Sequence, residues 1–129
     1  PSTGTSTINL VCVHGTAASQ EQFLPLLRAL QAKLPDRLCI HAWMYDAIGC
    51  GQSPKLDNAK AYLDDEQVLD LQALMAQHVH TTTSSSTQQQ HSEQWLITPT
   101  FFLGHSYSPT WIFKYLQIND KNNPSSSHN

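Results

Sequence analysis

"INLVCVHGTAAS", residues 8–19, decides how the rest of the chain is read. Its first six residues are a short apolar run, β-branched in part, as expected of a strand buried on both faces. The run passes straight into His14-Gly15. Ser19 followed by Gln22 then resembles a capping box. Phe23, Leu26, Leu27, Leu30 and Leu34 recur at helical spacing, which predicts a helix within residues 20–34. Pro25 fits such a helix only in its first turn, so the regular part begins near Leu24, and Pro35 ends it. Strand, loop and helix make one unit.

The unit repeats twice. "LCIHAWMY" (38–45) is a second strand, and "DAIGCGQSP" (46–54) is a glycine-punctuated loop after it. Asp64 with Gln67 gives another capping pattern, and Val68, Leu71, Leu74 and Met75 share one face of a second helix. The third strand falls within 95–103, at "TFFL", and Trp111, Ile112, Tyr115 and Leu116 mark a third helix packing back on the sheet. Phe101, Phe102, Trp111 and Tyr115 are expected in the core. Between the second helix and the third strand "HTTTSSSTQQQHSEQ" (80–94) is low-complexity polar sequence, expected to be a disordered surface insertion.

Alternating β-α-β-α-β-α implies an α/β fold, a three-layer sandwich in which helices flank a parallel sheet. The domain spans 8–118, and 119–129 reads as a polar disordered tail. The chain opens at Pro1 without a methionine, and a piece of a longer protein is expected.

At 129 residues the chain has room for one domain with a core. The charge is −3 and Lys and Arg never cluster, which argues against nucleic acid or an anionic membrane as the main partner. Cys12, Cys39 and Cys50 are an odd number without metal-ligand spacing, so reduced thiols and a cytoplasmic setting are expected. No run approaches the ~20 apolar residues of a membrane span. His78, His80, His91 and His128 offer no convincing metal set, and no metal or cofactor is implied.

Three loops leave carboxyl ends of strands: "HGTAAS", "DAIGCGQS" and "GHSYS". Ligands of open parallel sheets bind beyond those ends, where strand order reverses. With the second and third strands on opposite sides of the first, the first and third loops face each other. Ser106 would then project from a tight turn as a nucleophile. The backbone N–H groups of Thr16 and Tyr107 would point at a developing oxyanion. The plainer reading of Ser106 is a helix-capping serine. Asp46 more plausibly fixes its own loop than does chemistry, and Asp64 reads as part of a solvated helix face and its cap.

Taken in order, His14-Gly15, Asp46-x-x-Gly49-x-Gly51-x-Ser53 and Gly104-His105-Ser106-Tyr107-Ser108 resemble the α/β-hydrolase superfamily, in its single-domain serine-hydrolase branch. The resemblance covers roughly residues 8 to 118 without the polar insert. It implies a partial α/β-hydrolase fold and a small-molecule acyl substrate, with Ser106 as nucleophile. His14 would shape the oxyanion loop rather than act as base. The triad's acid and histidine would lie outside these residues. Ser108 stands where the pattern has Gly, and Pro109 follows it. The alternative is a non-catalytic member using the fold for binding or scaffolding.

Overall fold

A computed structural model describes residues 6–79 and 98–122; the proposed insertion at 80–94 and residues 123–129 lie outside the described residues. The elements are β1 (Ser6–Val13), α1 (Leu24–Lys33), β2 (Leu38–Met44), α2 (Asp64–Leu74), β3 (Thr100–Gly104) and α3 (Ser108–Lys121). A 3-10 turn, Gln20–Phe23, leads into α1, and a π turn, Met75–Val79, extends α2.

The sheet is parallel throughout, in the order β2-β1-β3, with Val11 opposite Trp43 on one side and Phe102 on the other. The central place of β1 explains its composition. Val11, Cys12 and Val13 are consecutive and all buried, a pattern open only to a strand covered on both faces. Burial pushes the Cys12 thiol up to about 11. None of the three cysteines is paired with another.

Helices lie on both faces, giving the expected α/β sandwich. On one face Val11 and Val13 meet Val68, Leu71 and Met75 of the second helical segment and Trp111, Ile112 and Tyr115 of α3. Side chains alternate along a strand, so Leu38, Ile40 and Ala42 of β2 turn to the other face. There, with Leu27 and Leu34 of α1, they line a cavity of about 450 Å³. No residue of α1 is buried. The helix lies off the sheet.

Several local expectations change. Pro25 does sit in the first turn of α1, which begins at Leu24, but Ser19 makes no side-chain capping bond. The N-cap of α2 is Leu63, so Asp64 is already helical and caps nothing. Phe101 is 54% exposed and Leu116 43% exposed, so neither belongs to the core. Alternation again gives the reason. Phe102 turns to α3 and packs on Tyr115 at 5.6 Å between ring centroids, which sends Phe101 to the open α1 face. Leu116 is not among the α3 residues, Lys114, Gln117, Ile118 and Lys121, that line the groove against α2. Helix α3 also runs through Asn119, Asp120 and Lys121, residues assigned above to the tail. Among the described residues no helix is long and apolar enough to cross a membrane.

Candidate functional site

The strand order reverses at β1, so the loops after β1 and β3 lie side by side at the carboxyl end of the sheet. Ser106, between Gly104 of β3 and Ser108 of α3, has φ 62°. That left-handed conformation costs a residue with a Cβ about 1–2 kcal/mol. It persists because both flanks are held. The His105 N–H donates to Val13 O at 3.2 Å and to Ser108 Oγ at 2.8 Å. The buried Ser108 hydroxyl in turn donates to Val13 O at 2.6 Å. Ser108 therefore does more than fit a small-residue position: it bolts the start of α3 to the end of β1. Pro109 falls in the first turn of α3, where its missing N–H leaves no gap, and Tyr107 before it is already helical at φ −82°, ψ −21°.

The first loop reaches the elbow through Gly15. A Cβ on Gly15 would stand 2.7 Å from Ser106 Cβ and 3.3 Å from Ser106 Oγ, so only glycine permits this approach. His14, 1% exposed, orients the next peptide. Its Nε2 accepts the Ala47 N–H at 2.9 Å, which leaves the ring proton on Nδ1, and Nδ1 donates to Gly15 O at 2.7 Å. The Ala18 N–H reaches the same carbonyl at 3.3 Å, closing a turn in which Ala17 takes φ 59°. In a trans peptide the N–H opposes the C=O. Thr16 N–H therefore points away from His14. Among the described residues neither the Thr16 N–H nor the Tyr107 N–H donates to a protein acceptor.

Asp46 ties the second loop to the first. Its Oδ1 accepts from Gln20 N–H at 2.7 Å and its Oδ2 from Gln52 N–H at 2.9 Å. A Cβ on Gly51 would land on this carboxylate, and Gly51 has φ 49°. Desolvation pushes the Asp46 carboxyl up, but the Gln52 and Gln20 N–H bonds outweigh it and hold the group below the usual carboxylate range. The 3.9 Å approach of His14 Nε2 to Asp46 is no ion pair, because that nitrogen is accepting from Ala47 and carries no proton. The loop-fixing reading of Asp46 agrees with this geometry.

The Tyr107 ring turns toward α2. Its hydroxyl donates to Asp64 Oδ2 at 3.0 Å, and its ring meets Trp111 edge-on at 6.1 Å. Trp111 Nε1–H donates to Asp64 Oδ1 at 3.0 Å, and Lys114 Nζ lies 3.6 Å from Oδ2. The Trp111 bond, together with Tyr107 and Lys114, overcomes desolvation and holds the Asp64 carboxyl below its ordinary range. This cluster replaces the solvated face expected of Asp64. A signal for it was present: Tyr107, Trp111 and Lys114 are three donors at i, i+4 and i+7 on one flank of a helix. Tyr107 is itself 48% exposed, and Thr16, His105 and Ser106 are exposed.

The structure thus gathers Ser106, Gly15 and the Thr16 and Tyr107 amides at one place. It does not bring a base there: among the described residues no side chain hydrogen-bonds Ser106 Oγ, and both nitrogens of His14 are engaged. No group of three or more His, Cys, Asp or Glu suited to a metal occurs among the described residues. No family model, no curated protein and no solved structure matches this chain.

Proposed function

We propose that this chain carries the nucleophile and the oxyanion donors of a serine hydrolase of the α/β-hydrolase type. One observation carries the reading: a serine, not a glycine, occupies φ 62° between a strand and a helix at the point where strand order reverses. Natural chains keep such strain where it positions a side chain. Ser106 Oγ would attack the carbonyl carbon of a small ester, thioester or amide. The Thr16 and Tyr107 N–H groups would receive the resulting oxyanion. Each such donor contributes about 3–4 kcal/mol to the transition state in comparable sites.

A histidine must take the Ser106 proton and return it to the leaving group, with a carboxylate to orient it. On this reading both come from outside residues 1–129. The 129-residue chain alone should therefore not turn over esters, while the complete protein should. A cytoplasmic setting goes with the reading, supported by three unpaired thiols.

The second reading is a scaffold or binding protein on the same fold. It is favoured by the lack of a base at Ser106 among the described residues. A fluorophosphonate probe separates the two. The hydrolase reading expects covalent labelling of the complete protein at Ser106 and none in Ser106→Ala, with unchanged thermal unfolding. A folded, unlabelled wild type would establish the scaffold, and labelling retained in the alanine variant would put the nucleophile elsewhere.

A further inference from the structure

Helix α2 begins at Asp64, one residue after the 3-10 turn Ala59–Tyr62, and a carboxylate there has helix N–H groups of its own to face. It is instead committed to residues 43 and 47 positions downstream, Tyr107 and Trp111. Each carboxylate oxygen takes one neutral donor at 3.0 Å, and Lys114 balances the charge from 3.6 Å on Asp64 and 3.4 Å on Asp65. Asp64 is only partly buried, its side chain 32% exposed, so a merely solvated position was open to it.

What these bonds restrain is the C-terminal flank of the strained residue. Before Ser106 the chain is fixed by His105 N–H on Val13 O; after it, by Ser108 Oγ on the same carbonyl. Both ties lie on the sheet side. On the outer side, where Tyr107 stands half exposed, the Thr110 N–H holds its carbonyl at 3.0 Å and its ring meets Trp111, while the Asp64 bonds are what tie it to another element. A left-handed serine relaxes by rotating the peptide that follows it, and that peptide carries the Tyr107 N–H.

We propose that Asp64 is a positioning residue for the Ser106 elbow: by holding the Tyr107 hydroxyl and the Trp111 indole it fixes the Tyr107 peptide and keeps the ring folded toward α2, clear of Ser106. The inference rests on the hydrolase reading for its catalytic consequence, though not for the restraint itself. Asp64→Asn retains the size of the side chain but leaves one of the two donors facing an NH₂ group. Tyr107→Phe removes one bond only, from a half-exposed ring.

The test uses the complete protein and resolves fluorophosphonate labelling into probe affinity and inactivation rate. Asp64→Asn should lower the inactivation rate about tenfold, a fraction of what a lost oxyanion donor costs, with affinity unchanged. Tyr107→Phe should lower it less, and Lys114→Met should leave it within about twofold, as expected of a solvated pair. Amide exchange at 106–108 should accelerate in Asp64→Asn and Tyr107→Phe while exchange in β1 stays as in wild type. Wild-type inactivation and wild-type exchange in both variants would overturn the proposal. If folded wild type is not labelled, the hydrolase reading fails, and exchange alone decides: acceleration confined to 106–108 upholds the positioning role, and no change refutes it.

Discussion

The two faces of the sheet are built to different standards. On the α2/α3 face Leu71 is fully buried, Val68 and Met75 are 3% exposed, and Trp111 and Tyr115 lie within a few per cent of full burial. On the α1 face no residue of α1 itself is buried, a cavity of about 450 Å³ separates α1 from β2, and Phe101 is more than half exposed. The side-chain bonds that hold Ser106 from its C-terminal side start on Tyr107 and on α3, on the closed face. A closed face is rigid because close-packed side chains have nowhere to go. The site therefore takes its precision from one side of the sheet, and the other side contributes little to it.

The sharpest way to break this contrast is a pair of truncations. Leu71→Ala should cost about 2–5 kcal/mol, as a large-to-small change in a filled core does. Leu27→Ala, beside the cavity, should cost well under half of that, since the site is already loose. Chemical denaturation of both variants measures the difference, and equal losses would show that the two faces pack alike.

A smaller effect is expected from Ser108→Ala. It leaves Val13 O without its 2.6 Å donor and His105 N–H without one of its two acceptors. The loss should be about 1–3 kcal/mol, accompanied by faster exchange at His105 and Ser106. Thermal melts and exchange together read both.

Next in size is a pH effect at the rim. The carboxyl of Asp46 is held below its ordinary range in the folded chain. Its contribution is therefore complete above the unfolded carboxylate pKa of about 4 and disappears as pH falls through the lower folded value. Asp46→Asn should be less stable than wild type near neutrality, and the gap should close in acid. A gap that is constant across pH would mean that the charge of Asp46 does nothing for folding. The smallest change should come from Phe101→Ser on the open face, within about 0.5 kcal/mol either way.

The order of elements was legible because "INLVCV" can be buried on both faces only as a central strand, and the helices after it carry their own periodicity. Which aromatic ring is covered was not. Phe101 and Phe102 are chemically identical neighbours, and only the register with Leu10 and Val11 decides which one meets Tyr115. The two capping patterns failed for a related reason. Ser-x-x-Gln and Asp-x-x-Gln describe bonds over three residues, while the Asp64 carboxylate went to donors 43 and 47 residues away. In the site, Ser106, Gly15 and the Asp46 loop were readable from motif spacing. The strut made by Ser108 was hidden, since it depends on a hydroxyl meeting the last carbonyl of β1.

The parallel pairing of β1 with β3 also sets an order in time. Trp43 reaches Asn9 across 34 residues, whereas Thr100 reaches it across 91. Closing the longer loop costs roughly 1 kcal/mol more chain entropy, and non-local pairing slows folding. The β1-α1-β2 unit is thus expected to form early, with one edge of β1 still bare, and β3 to dock afterwards. Ser106 acquires its strained backbone only at that last step. A chain halted before it would hold most of its secondary structure, expose a strand edge to other chains, and have no elbow at all.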